Sequence, residues 1–254
     1  MKRLAAIIAV TALAVTACSE AEPTTTTSTA APTATTATTA PAATTTLPEV
    51  PLDVVPRDYD GFRAQQPACG ATAPDVATVM QFEEPADMGL DPAAPATAVM
   101  STSCGDITIE LDPSIAPATA NSFAFLASEG YFNGTALHRL IPGYILQGGD
   151  PTASGMGGPG YALPDEFPPA GTVYERGMIA MANAGPGTGG SQFFLMFGDA
   201  ELPPLYTIFG RVTDGFDVLD LIEETQLGQA PGSPDPVPST PLETIYLNTV
   251  TIGG

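Results

Sequence analysis

Residues 181–197 narrow what this chain can fold into more than any other stretch: Met-Ala-Asn-Ala-Gly-Pro-Gly-Thr-Gly-Gly-Ser-Gln-Phe-Phe-Leu-Met-Phe. Four glycines and a proline crowd the first half, and the second half is an unbroken apolar run with adjacent Phe193 and Phe194. A Gly-rich loop feeding a buried strand is the physical reading. Glycine lacks a Cβ and tolerates φ > 0, so such a loop lets backbone approach a ligand. Asn183, Gln192 and Phe194 would stand at the mouth of the strand, offering hydrogen bonds beside an apolar surface that suits an extended peptide. The plainer alternative is a hairpin loop entering a core strand.

A second stretch shifts the balance. Residues 137–150 read Leu-His-Arg-Leu-Ile-Pro-Gly-Tyr-Ile-Leu-Gln-Gly-Gly-Asp. Arg139 lies between apolar neighbours, and the polar Gln147 lies in the next apolar run. A charge inside a strand-like apolar run is costly unless it is paired or functional. Arg139 therefore needs an explanation.

The remaining pattern is of short strands. Residues 96–103 and 105–111 read as a hairpin, with Ile107, Ile109 and Leu111 alternating against Thr108 and Glu110. Residues 113–130 read as a helix, with Pro117 in its first turn and Phe123, Leu126, Ala127 and Tyr131 along one face. Strands follow at 136–140, 144–147, 178–182, 193–196 and 207–212, then a helix at 216–224, a Pro-rich loop at 226–241 and a last strand at 242–252. Many short strands with two helices predict a mainly β domain over 97–254, a closed antiparallel barrel plugged at both ends.

The motifs resemble those of the cyclophilins, which are peptidyl-prolyl cis/trans isomerases. The likeness is carried by Leu137-His138-Arg139-Leu140-Ile141-Pro142-Gly143-Tyr144, Gln147-Gly148-Gly149-Asp150, Gly157-Gly158-Pro159-Gly160-Tyr161, Asp165-Glu166-Phe167, Met181-Ala182-Asn183-Ala184-Gly185-Pro186, Gly190-Ser191-Gln192-Phe193-Phe194 and Phe209-Gly210. The blocks occur in family order with family spacing. The resemblance implies an eight-stranded closed barrel capped by two α-helices, a proline-containing unfolded or flexible polypeptide as substrate, and no cofactor or metal. It implies Arg139 as the group that stabilises the twisted amide and Gln147 as its companion on the carbonyl side. Tyr144, Ile145, Phe194 and Leu202 would line the proline pocket, with Tyr206 where many members carry histidine. The main chain of Ala182, Asn183 and Gln192 would pair with the residues before proline. The family's tryptophan is missing, since the chain has none.

Towards the N-terminus, Lys2 and Arg3 precede an apolar run that is too short for a membrane span and ends in small residues before Cys18. Residues 1–17 read as a signal peptide, and the exit Leu13-Ala14-Val15-Thr16-Ala17-Cys18 resembles a bacterial lipobox, which would place a lipid on Cys18 and anchor the protein on the extracytoplasmic face of the cell membrane. A secreted protein with an incidental cysteine is the alternative. Losing Lys2 and Arg3 would take the formal charge from −21 to −23. That disfavours nucleic acid and anionic lipid, both of which need clustered cations. Residues 18–46, almost entirely Thr, Ala, Pro and Ser after the cysteine, form no core and read as a disordered tether.

Residues 47–96 read as a Pro-rich acidic extension whose Tyr59, Phe62, Met80, Phe82, Met88 and Leu90 could lie against the barrel. Export would put Cys69 and Cys104 in an oxidising setting, where a bridge closing about 35 residues could form; two separate buried thiols are the alternative. Other chemistries fit less well. His138 is the only histidine, so a metal cluster or Ser-His-Asp triad would rest on it alone. Ser191 lacks a nucleophile elbow. Asp150, Asp165 and Glu166 read as loop contacts rather than paired catalytic carboxylates. A proline-peptide binding module with little turnover, and an envelope scaffold, remain as non-enzymatic readings.

Overall fold

Alternation along the strands decides the architecture. In β1 (Ala96–Thr102) and β2 (Gly105–Leu111) every second residue is buried, with Ala98, Met100, Ile107, Ile109 and Leu111 fully enclosed. The other face is wet. A sheet with one apolar face must curl over it or cover it, and the computed structural model, which describes residues 55–253, shows it curling.

Nine strands form one antiparallel sheet in the order β3-β11-β1-β2-β8-β6-β7-β5-β4. The remaining members are β3 (Thr135–Ala136), β4 (Arg139–Ile141), β5 (Ile145–Gly148), β6 (Met178–Met181), β7 (Phe193–Met196), β8 (Ile208–Asp214) and β11 (Tyr246–Gly253); β9 (Leu227–Gly228) and β10 (Thr240–Pro241) make a separate two-stranded clip. The sheet ends on β3 and β4, which are neighbours in the chain with only Leu137 and His138 between them. The sheet thus rolls until its edges meet at one bend. The mainly β fold stands. The eight-stranded closed barrel takes the form of a nine-stranded half-barrel that does not close strictly, because β3 and β4 follow one another along the chain instead of pairing.

The expected strand 136–140 breaks for the same reason. The Leu137 amide donates to the Ile245 carbonyl and the Leu140 amide to the Ser239 carbonyl, so the segment changes partners midway. The helix expected from 113 starts later, as α2 (Pro117–Ser128). Asp112 holds residues 114–116 in a turn, its carboxylate accepting from the Ser114 amide and hydroxyl and its carbonyl from the amides of Ile115 and Ala116. Helix α3 (Phe216–Glu223) buries Leu219 and Ile222 against the sheet.

The extension wraps the domain. Its helix α1 (Tyr59–Arg63) is N-capped by Asp58 and buries Phe62. Further on, Met80, Phe82, Met88 and Leu90 pack on the main core, and the Phe82 ring meets Phe125 edge-on at 5.0 Å. Cys69 and Cys104 are joined, with Cα atoms 5.2 Å apart, which ties the extension to the β1–β2 turn. Closing that loop restricts the unfolded chain and stabilises the fold by about 3 to 4 kcal/mol. Among the described residues no helix is long and apolar enough to cross a membrane. The signal peptide expected at residues 1–17, the lipidation expected at Cys18 and the tether expected at residues 18–46 fall outside the described residues.

Candidate active site

Register explains why β5, β6 and β7 read as continuous apolar runs. Leu140, Leu146, Leu195 and Ile179 stand opposite one another across β4, β5, β7 and β6, and all four belong to the main core. One residue earlier or later along each strand, Arg139, Gln147, Phe194 and Ala180 form the parallel row on the other face. A strand's side chains alternate strictly, so the outer row is fixed as soon as the inner one is buried. Its apolar members join a second cluster of Ile145, Tyr174, Ala180, Phe194 and Met196, with Tyr144, Leu202 and Tyr206 packed on it.

A cavity of about 160 Å³ opens on this cluster, lined by Arg139, Tyr144, Ile145, Gln147, Ala182, Asn183, Phe194, Leu202 and Tyr206. These are nine of the ten residues singled out in the sequence for catalysis and substrate binding. The tenth, Gln192, lies in an adjoining groove that also includes Gln147, Ala182 and Asn183. Tyr206 meets Phe194 edge-on at 5.4 Å, and its main chain is held by the Tyr174 hydroxyl, which donates to the Tyr206 carbonyl at 2.8 Å. The Asn183 amide side chain donates to the Leu205 carbonyl at 2.8 Å, so it braces the 201–205 loop. Burial, with Tyr206 adding to it, pushes the Tyr144 phenol above its ordinary pKa despite the opposing Arg139 charge.

Arg139 is gripped on two sides. Its Nη1 donates to Gln147 Oε1 at 3.0 Å, while Nε and Nη2 donate to the two carboxylate oxygens of Asp235 at 2.8 and 2.6 Å. From Gln147 the bonds continue: Gln147 Nε2 donates to Gln192 Oε1 at 3.0 Å, and Gln192 Nε2 to the Gly157 carbonyl at 2.9 Å. The Arg139 bond holds the Asp235 carboxyl below the ordinary carboxylate range, against the opposing effect of burial. Asp235 was not foreseen. It sits 96 positions after Arg139 in a Pro-rich loop without periodicity.

The groove around Gln192, of about 380 Å³, is walled by the 155–161 loop. Asp150 organises that loop, accepting from the Thr152 amide and hydroxyl and from the amides of Gly155 and Gly157. Burial pushes its carboxyl up, but these hydrogen bonds outweigh burial and leave its pKa lowered. Gly157 must be glycine here, because a Cβ would collide with the Asp150 carboxylate. The extension also reaches this groove: Gln81 donates to the Gly158 carbonyl at 2.7 Å.

The competing chemistries dissolve into structural roles. Glu166 caps α2, whose own N-cap Ala116 has no side-chain acceptor; its oxygens take the amides of Ala118 and Thr119 at 2.9 Å. Asp165 accepts from the Gly187 amide. The Ser191 hydroxyl donates to the Gly149 carbonyl at 2.7 Å and is buried. His138 is buried, and desolvation pushes its pKa down to about 4, with Arg139 acting in the same direction and Asp150 against it. Among the described residues no group of three His, Cys, Asp or Glu could hold a metal ion.

Known proteins share this architecture and its motifs. The family profile described as cyclophilin type peptidyl-prolyl cis-trans isomerase matches residues 97–246. The chain belongs to the cyclophilin-type peptidyl-prolyl cis-trans isomerases. A peptidyl-prolyl cis-trans isomerase of Arabidopsis thaliana is 44% identical over 157 residues, which covers 60% of this chain and 93% of the plant protein. The Mycobacterium leprae protein named "Probable peptidyl-prolyl cis-trans isomerase B" is 42% identical over 174 residues, covering 62% of this chain; the match spans 58% of the mycobacterial protein's length. A crystal structure of a Cryptosporidium parvum cyclophilin superposes with a TM-score of 0.55 at 33% identity, covering 63% of this chain and 98% of that one. A second crystal structure of that cyclophilin, obtained in the presence of the dipeptide Ala-Pro, superposes with a TM-score of 0.55 at 34% identity, covering 62% of this chain and 99% of that one. The cyclophilin part of the chain thus corresponds to nearly whole small relatives, with residues 55–96 laid over it.

Proposed function

We propose that this chain catalyses rotation about X-Pro peptide bonds in flexible or unfolded polypeptides, and does so outside the cytoplasmic membrane, held there by a lipid on Cys18. The carrying observation is one row of the sheet that sets Arg139 and Gln147 beside a cavity whose apolar wall is Ile145, Phe194 and Leu202. The bond before proline has partial double-bond character, and its rotation faces a barrier of about 20 kcal/mol. No bond is made or broken, so the site needs neither nucleophile nor metal. Tyr144, Ile145, Phe194, Leu202 and Tyr206 hold the proline ring and exclude water, and in that setting Arg139 donates to the proline nitrogen as the twist frees its lone pair. Gln147 and the main chain around Asn183 fix the residues on the carbonyl side. The Ala-Pro dipeptide used with the Cryptosporidium relative supports a substrate of this type.

Support for the location comes from the sequence: a basic head, a short apolar run, a lipobox-like exit at Cys18 and a Thr/Ala/Pro-rich stretch to residue 46. Exchange spectroscopy on an Ala-Pro peptide, with the full chain and with Arg139→Ala, tests the activity. Accelerated exchange by wild type that the variant largely loses supports the isomerase; peptide binding without acceleration makes it a binding module. For the location, fatty-acid labelling should be lost in Cys18→Ala, and label kept by that variant rules out the anchor.

A further inference from the structure

Arg139 has five N–H donors. Asp235 takes those on Nε and one on Nη2, and Gln147 takes one on Nη1, which leaves one N–H on each terminal nitrogen. Both acceptors of the carboxylate are engaged by the guanidinium in a two-pronged pairing, the arrangement that fixes the guanidinium plane as well as its position. A single bond to Gln147 would leave that plane free to swing.

The side from which Asp235 approaches is decisive. Arg139 borders two hollows, the proline cavity and a separate groove of about 370 Å³ between the extension and the Pro-rich loop. Asp235 borders only the second. Its carboxylate therefore holds Arg139 from the groove side without lining the proline cavity. Its side chain is 8% exposed, against 31% for that of Arg139, so the carboxylate is tucked under the guanidinium it holds.

The loop is built to present this carboxylate. The clip of β9 and β10 pairs Leu227 with Pro241 and Gly228 with Thr240, closing the base of the segment between them. Asp235 stands between Pro234 and Pro236, whose rings fix their φ angles and reduce the freedom of the chain. Its amide donates to the Ser233 hydroxyl at 3.2 Å, and its carbonyl accepts from Gln229 Nε2 at 3.2 Å. A rigid loop with its aspartate bonded on the backbone and on both carboxylate oxygens serves to hold something still.

We propose that Asp235 is a positioning residue for the isomerase reaction: from the side away from the proline cavity it locks the plane of Arg139, so that the two remaining N–H groups face the turning amide. The inference rests on the isomerase reading and on Arg139 as its donor. Without Asp235 the guanidinium samples orientations that do not reach the twisted amide, and the loss falls on turnover rather than on ground-state binding.

The test uses the full chain as wild type, Asp235→Ala, Asp235→Asn and Asp235→Glu, with kcat and KM measured separately on an Ala-Pro peptide. Asp235→Ala should lose about tenfold in kcat with KM nearly unchanged. Asp235→Asn, which keeps one acceptor, should fall between, and Asp235→Glu should recover most of the rate. The Arg139 Nε–H resonance should exchange slowly with solvent in wild type and Asp235→Glu and quickly in Asp235→Ala. If Asp235→Ala does not fold, Asp235→Asn and the resonance decide alone. Wild-type turnover in folded Asp235→Ala would overturn the inference while leaving the isomerase intact. Faster turnover would overturn it too, making the carboxylate a brake. An inactive wild type would remove the isomerase reading and this inference with it.

Discussion

Two rows of side chains run across the same four strands one residue apart, and they are held by different physics. Leu140, Leu146, Leu195 and Ile179 are fully enclosed and belong to the main hydrophobic core. Arg139, Gln147, Phe194 and Ala180 share the same ladder on the outer face, where Arg139 and Gln147 are fixed by directional bonds to Asp235 and Gln192. The inner row depends on area and fit, so apolar residues of similar volume can replace one another there. The outer row depends on which atom donates to which. The sheet is what connects them: burying the inner row sets where the outer row points.

If that division is right, damage to one face should leave the other intact. Leu195→Ala should cost about 3 to 5 kcal/mol of unfolding free energy in urea, through lost burial and a cavity, while the folded fraction keeps its kcat/KM. A large kcat/KM loss in protein that is still folded would break the comparison.

His138 lies at the bend joining β3 to β4 and offers a pH probe of the buried side. Its folded pKa of about 4 lies below the ordinary 6.5, so on acidification the unfolded chain takes up a proton first. Stability is then whole above about pH 6.5 and falls towards about pH 4, by roughly 3 kcal/mol. Asp150, also lowered, adds a loss of the same sign further down. Denaturation midpoints measured at pH 7 and pH 4.5 should converge in His138→Leu relative to wild type; an unchanged slope would mean that the histidine is not the source.

On the outer row, Gln147→Ala removes an acceptor of Arg139 and the link to Gln192, and should lower kcat/KM about tenfold, or ~1.4 kcal/mol, with the melting temperature hardly moved. Asn183→Ala should do least, about twofold or less by the same relation, since its side-chain amide is already engaged by the Leu205 carbonyl and the Gly185 amide. A larger loss would show that the 201–205 loop must be pinned for turnover.

How much of this could be read from the chain follows from the same physics. Alternation and short range made the strands legible, and the eight-residue spacing of Arg139 and Gln147 placed them opposite each other once the hairpin formed. The family motifs carried the pocket residues. What escaped is long-range and aperiodic: Asp235 from the Pro-rich loop, Gln81 from the extension and Glu166 capping a helix 47 positions away. Aspartate between prolines, or glutamate before phenylalanine, has no pattern that names its partner. The incomplete closure was hidden as well, because residues 136–140 look like one strand and change partners only when folded.

The most direct test measures kcat/KM on an Ala-Pro peptide and unfolding free energy for the full-length wild type, Arg139→Ala and Leu195→Ala in one experiment. The account predicts a crossed pattern: folded Arg139→Ala loses about a hundredfold or more in kcat/KM, with some stability lost because the Asp235 carboxylate is left unpaired, and Leu195→Ala loses stability at near wild-type kcat/KM. Folded Arg139→Ala that keeps its turnover, or folded Leu195→Ala that loses it, would contradict the account.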